Sequence, residues 1–303
     1  MAWGFYIALY LFLAGAGAGA FLTAVTAEIY SRDGFRPLAR SGIIIGAPMV
    51  ALGMPWLIWD LGIGKQEPWR IFWLFFGNPG SVMTLGAWII SAFVLVGMGC
   101  TFVELDVKWP VPMLNKLKAR LLPYRRRLLM TATPLAFATA IYTGLLLGVV
   151  RAIPLWNNPL LPPLFFISAL STGLAASVVV AVLFPMEERR LLAEHFFYLN
   201  QIHSLMIVIE TVFIFCFVFL IALSSVTGAQ SVSLLTTGSL APWFWLGVVF
   251  FGIVDPMIIY IYEVVLGRPL MPYAMVISDS SVLLGGFVLR YLVLGAAVPV
   301  ILF

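Results

Sequence analysis

Eight stretches of this chain are each long and apolar enough to cross a lipid bilayer, and they leave room for little else. They run over Trp3–Tyr30, Ser41–Ile63, Ser81–Leu105, Leu128–Val150, Pro163–Phe184, Gln201–Val226, Ala241–Val265 and Ser280–Leu302. A helix needs about 20 apolar residues to span the hydrocarbon core. Lipid offers no partner to a backbone N–H or C=O, so a spanning segment must be a helix or a strand of a closed barrel. Barrel strands alternate polar and apolar side chains, and these runs do not. The chain is 62% hydrophobic and only 10% charged, whereas soluble domains carry about one charged residue in four. An all-α integral membrane protein is therefore expected. The first stretch lacks a basic leader and has full spanning length, so it is read as a helix rather than a cleaved signal.

Lysine and arginine set the expected orientation. The connections after spans one, three, five and seven carry Arg32, Arg36, Arg40, Lys108, Lys116, Lys118, Arg120, Arg125, Arg126, Arg127, Arg189, Arg190 and Arg268. The opposite side has Lys65, Arg70 and Arg151. Positive charge is retained in the cytoplasm, which places both termini outside a bacterial or archaeal cytoplasmic membrane. The net charge of +4 then reflects topology and anionic headgroups, not nucleic acid.

The long basic connection from Asp106 to Arg127 is the natural linker between two four-helix bundles, assigned to residues 1–127 and 128–303. An internal echo supports the division: Leu9–Phe21 in span one resembles Leu164–Ala176 in span five. Both segments are rich in small residues, which let helices approach closely in a membrane.

Several cofactor classes are expected to be absent from the chain itself. Cys100 and Cys216 sit singly in apolar spans, and the histidines are His195 and His203. That inventory offers neither an iron–sulfur or zinc site nor paired haem ligands. There is no phosphate-binding loop and no dinucleotide fingerprint. Redox chemistry here would need a cofactor brought from outside.

Ionisable groups inside apolar spans cost several kcal/mol unless paired, so each is a functional candidate. The set is Glu28, Asp60, Glu104, Glu210, Asp255, Glu263 and Arg290. His203 and Glu210 are seven residues apart and share a helix face. With Asp255 and Arg290 they are a candidate inward proton path, structural ion pairs being the alternative. On the outer side, Tyr6 and Tyr10 lie on one face of span one, Asp60 ends span two, and Tyr142 lies about 13 Å inward of Arg151 at 1.5 Å per residue. A quinone headgroup needs hydrogen bonds at its carbonyls and a source of protons, which tyrosine hydroxyls and a carboxylate supply.

At this point the residues resemble a known family. Tyr10-Leu-Phe-Leu-Ala-Gly, Trp59-Asp-Leu-Gly with Trp69-Arg-Ile-Phe-Trp and Asn78-Pro-Gly-Ser, Tyr142-Thr-Gly-Leu-Leu-Leu with the proline-rich 154–163, and Gly285-Gly-Phe-Val-Leu-Arg290 together are similar to NrfD-like proteins. These are membrane subunits of polysulfide, nitrite, formate and related respiratory oxidoreductases. The resemblance implies a haem-free eight-helix subunit that binds menaquinone or ubiquinone and carries no iron–sulfur cluster of its own. It implies docking to a ferredoxin-like subunit with 4Fe-4S clusters, often joined to a molybdenum enzyme or another catalytic subunit. It also implies a quinone pocket in the first bundle, contacted by Tyr142 and by the acidic Asp60. Where a family member uses asparagine and histidine in span one, this protein has Tyr6 and Tyr10. The charge-poor outer connections, 64–80 and 151–162, have the composition of a buried docking surface. An ion-coupled transporter around Glu210, Asp255 and Arg290, or a passive anchor for a peripheral redox enzyme, are the competing functional classes.

Overall fold

Small side chains decide which helices occupy the centre. The computed structural model describes residues 4–30, 34–60, 71–106, 111–184, 186–266 and 272–300. The charged residues Arg32, Lys65, Arg70, Lys108 and Arg268 lie outside them. Described elements are α1 (Phe5–Tyr30), α2 (Arg36–Asp60), α3 (Ile71–Phe76), α4 (Val82–Glu104), α5 (Pro112–Leu121), a 3-10 turn Leu122–Tyr124, α6 (Arg125–Gly148), α7 (Leu161–Ala181), α8 (Met186–Ser224), α9 (Val226–Thr236), a π-helix Trp243–Val254 running into α10 (Asp255–Leu266), and α11 (Pro272–Gly295). Eight of the helical segments are long and apolar enough to cross a membrane, and no strand occurs among the described residues. The protein is a multi-pass, all-α membrane protein.

In both α1 and α7, 72% of the most apolar stretch is buried, against 22% for Trp243–Val265 and 28% for Phe197–Ser224. The two central helices cross where side chains vanish. A Cβ on Gly19 would run into the Ala169 carbonyl, and one on Gly173 would run into the backbone of Ala20. The segments that echo each other in sequence, Leu9–Phe21 and Leu164–Ala176, are thus the ones that meet. Around α1 stand α2, α6, α7 and α11; α7 in turn touches α6, α8 and α11. Among the described residues, 1–127 hold only three complete membrane-length helices; the fourth, α6, straddles the 127/128 boundary and packs on α1 and α4, so that boundary does not leave four helices on each side.

Hydroxyls and one arginine tie the helices together, as expected where lipid removes any hydrophobic preference for helix over solvent. Ser41 Oγ in α2 donates to the Ser177 carbonyl of α7 at 2.7 Å, and Thr101 Oγ1 in α4 donates to the Ile43 carbonyl of α2 at 2.9 Å. At the basic end Arg125 donates through Nη1 and Nη2 to both oxygens of Glu28 (2.6 and 2.9 Å) and through Nε to Glu104 (2.8 Å). This fork joins the start of α6 to α1 and α4. Glu28 and Glu104 are thereby accounted for as a clamp at the helix ends.

Three of the spans depart from what hydropathy alone suggests. The sixth membrane helix begins at Met186 rather than near Gln201. The seventh opens as a π-helix and turns to α geometry at Asp255; Pro256, just past the junction, has no N–H to donate into the preceding turn. The eighth, α11, begins at Pro272, which brings Asp279 inside the helix.

Candidate functional site: an apolar cleft with three hydroxyls

A cleft of about 580 Å³ opens between α1, α2, α3, α4 and α6. Its walls are Met54, Leu57 and Ile58 of α2, Leu74 and Phe75 of α3, Met83, Ala87 and Ile90 of α4, and Leu146 of α6. Three polar side chains interrupt this surface: Tyr10, Ser91 and Tyr142. Local chemistry fixes the frame. Ser81 caps α4 by accepting from the Met83 N–H at 3.3 Å, and Trp88 Nε1 donates to the Phe75 carbonyl at 3.1 Å, holding α3 against α4. The Tyr142 ring lies so close on Gly86 that the position has no room for a methyl group.

The hydroxyls are the informative part. Tyr10 is fully buried, and both Tyr10 Oη and Ser91 Oγ are shielded without a hydrogen-bond partner within the protein. Leaving such a group unpaired costs about 1–3 kcal/mol. Two orphaned hydroxyls on one apolar cleft are what a ligand with an oily body and a few carbonyl or hydroxyl oxygens would satisfy. Tyr142, 5% exposed, brings a third hydroxyl-bearing side chain to the cleft.

The structure brings Tyr10 and Tyr142 to one cavity and sets Tyr6 and Asp60 beside it. Tyr6 stacks on Trp56, with centroids 5.5 Å apart and planes 4° from parallel. Asp60 is half-buried at the end of α2, near Gly4, two residues beyond Ile58 of the cleft wall. Ser91 and Gly86 carried no signal in the sequence, because a serine or glycine in a membrane helix usually serves packing.

A second polar system lies across α1. Arg290 is fully buried; its Nη1 donates to Ser168 Oγ at 3.2 Å and to the Gly286 carbonyl at 2.8 Å, while Nε and Nη2 find no partner. It fits because α1 is bare there: a Cβ on Gly15 would lie 2.8 Å from Nη2. Phe12 and Phe165 present ring faces to it at 5.8 and 5.3 Å. Glu210, also buried, has Ser168, Ser171, His203 and Arg290 about it. Ser171 Oγ is 3.3 Å from His203 Nε2, and His203 Nδ1 is 3.1 Å from Asp279 Oδ1. Arg290, Glu210 and His203 therefore share one polar array, completed by Ser168, Ser171 and Asp279. Asp255 is bonded elsewhere, accepting from Ser281 Oγ at 2.6 Å. Asn200 donates to the buried Glu263 nearer the basic end.

The connection 151–162 does not behave as its composition suggests. Ile153, Leu155 and Trp156 turn inward, and Trp156 Nε1 donates to the Val293 carbonyl at 2.7 Å. Its apolar residues cover the molecule's own helix ends. Of the other connection, 64–70 lies outside the described residues, while Phe72, Trp73 and Phe76 of α3 are exposed. Among the described residues no cluster of three His, Cys, Asp or Glu side chains is placed to hold a metal ion.

Comparison with known proteins agrees with this architecture. The family profile "Polysulphide reductase, NrfD" matches residues 1–301. The C subunit of polysulfide reductase from Wolinella succinogenes is 31% identical over 265 residues, covering 85% of this protein and 82% of that one. Protein NrfD of Escherichia coli is 30% identical over 277 residues, covering 86% and 84%. The NrfD homolog of Haemophilus influenzae is 28% identical over 276 residues, covering 85% and 83%. A match over almost the entire length, on a polypeptide with eight membrane-length helices, places this protein in the NrfD polysulphide reductase family.

Proposed function

We propose that this protein is the quinone-binding membrane subunit of a respiratory oxidoreductase, exchanging electrons between an external 4Fe-4S ferredoxin-like subunit and the membrane quinone pool. The observation that carries the reading is the pair of unpartnered hydroxyls, Tyr10 and Ser91, set with Tyr142 in an otherwise apolar cleft. The polysulfide reductase relative is by its name one component of a larger enzyme, and kinship with it supports a partner carrying the catalytic centre.

A quinone bound there supplies two-electron, two-proton chemistry at its ring oxygens. Tyr142, Tyr10 and Ser91 would hold the ring oxygens of the quinone by donating hydrogen bonds to them. The apolar wall excludes water and strengthens these bonds. Asp60, beyond the cleft wall at the end of α2, exchanges protons with the outer aqueous phase. The exposed aromatic face of α3 and the Tyr6–Trp56 stack are the described outer surface on which the cluster-bearing partner docks.

Ser91 provides a test in which two readouts move in opposite directions. Ser91→Ala is expected to weaken menaquinone binding to the purified assembly about two- to tenfold, the range of one neutral hydrogen bond. The same change removes an unsatisfied buried group and leaves the quinone-free protein as stable or more stable. Equilibrium binding and thermal unfolding of quinone-depleted protein measure the two. Undiminished affinity in Ser91→Ala and Tyr10→Phe alike would remove the quinone from this cleft, and an assembly that purifies without a cluster-bearing subunit would remove the electron route.

The series from Asp279 and His203 through Ser171, Glu210 and Ser168 to Arg290 is proposed as a proton route from the basic face. Glu210 sits at its middle, within reach of both serines. In proteoliposomes, Glu210→Gln is expected to leave quinone-linked turnover within about twofold while abolishing the membrane potential it generates, because one proton-carrying group interrupts the relay. An undiminished potential would make these groups structural.

A further inference from the structure

The connection between α4 and α6 contains a helix that the quinone reading does not use. No residue of α5 is buried, although the helix carries Met113, Leu117 and Leu121, followed by Tyr124 in the 3-10 turn. Positions 113, 117, 121 and 124 fall on one helical face, and Met113 is 77% exposed. Lys116 and Arg120 lie three and seven residues after Met113 and border that face. Arg127 extends the border, its guanidinium 5.5 Å from the centroid of the Tyr124 ring. From 111 to 127 the sequence holds six cations and no acid. Two of the six are used internally: Arg125 by Glu28 and Glu104, and Lys118 by the Leu105 carbonyl at the end of α4.

Those internal contacts determine where α5 lies. They pin its last turn and the start of α6 to the ends of α1 and α4, at the depth where membrane helices leave the hydrocarbon and meet the headgroups. A helix held at that depth, with an uncovered apolar face edged by cations, matches an interfacial helix. Its apolar side chains enter the acyl boundary, and long basic side chains reach back to the phosphates. The exposed apolar surface continues onto α6 through Met130 and Phe137, which belong to a membrane-crossing helix. We propose that α5 and its flank form a binding surface for anionic phospholipid, with Met113 and Leu117 among the acyl tails and Lys116, Arg120 and Arg127 on the headgroup phosphates.

The test uses the full-length protein with Cys216→Ser, leaving only the buried Cys100, and with Met113→Cys carrying a bimane label. Reconstituted in phosphatidylcholine vesicles, the label is titrated with brominated phosphatidylglycerol or brominated phosphatidylcholine. Brominated phosphatidylglycerol is expected to associate about fivefold more strongly, the factor contributed by one cation near an anionic surface. That preference should fall to about one in the Lys116→Gln, Arg120→Gln, Arg127→Gln variant. Quenching by aqueous iodide but not by brominated lipid would show a face open to water or to a soluble protein partner and would overturn the proposal. So would a ratio of one in the parent protein, or a preference that survives loss of the three cations.

Discussion

Tyr142→Phe is expected to lower quinone-linked turnover of the purified assembly by about 100-fold, because on the proposed reading it deletes one preorganised donor in a water-poor site, a change that costs about two to three powers of ten. The loss falls mainly on kcat if the hydroxyl bonds more strongly as the ring oxygen gains charge, and mainly on KM if it binds both redox states alike. The ring itself stays, so packing on Gly86 is kept and thermal unfolding should not move. Gly86→Ala is the complementary change. It keeps the hydroxyl but places a methyl group where the ring now lies, and turnover is expected to drop with it. Steady-state kinetics on both variants separates the chemistry of the hydroxyl from its placement. If both retain full rates, Tyr142 has no part in turnover, and a passive anchor describes the protein better than a quinone site.

Gly173→Ala has the second large effect, and it is one of assembly. An added Cβ on Gly173 would meet the backbone of Ala20, and backbone in the middle of a helix cannot turn aside as a side chain can. Overpacking a well-filled interior typically costs about 1–3 kcal/mol and more where nothing yields. A shift toward the upper end is expected, seen as a lower unfolding temperature in detergent and less folded protein in the membrane. Gly99→Ala is the control, since its Cβ would make only ordinary contact with Leu128 at 3.9 Å. In a helix that change is neutral or stabilising by about 0.5–1 kcal/mol. Equal behaviour of the two variants would mean that α1 and α7 are not in backbone contact.

What the sequence revealed follows from how membrane proteins are constrained. Hydropathy exposes the number of membrane helices, because each must be apolar for about 20 residues regardless of its neighbours. The ends were less legible: a polar start such as Met186-Glu-Glu-Arg-Arg reads as loop, yet α8 extends through it. That blurring hid Asp279, which seemed to precede the last span and instead bonds His203 within it. Tyr10 and Tyr142 were visible as polar residues at matching depths, but Ser91 and Gly86 were not, since their roles exist only once α4 is set against α6. The connection 151–162 was legible in composition and not in destination. Apolar loop residues need cover, and here the molecule's own helix ends provide it.

The crossing of α1 and α7 also bears on biogenesis. The polypeptide is made from its N-terminus at about 5–20 residues per second, and the glycine face of α1 finds its counterpart only after about 150 further residues have been synthesised. At that rate, for roughly 8–30 s α1 must keep that face against lipid or an insertion chaperone. Thus α1 is made well before the helix that seals it, and nascent polypeptides arrested before Gly173 leaves the ribosome have no middle to close around.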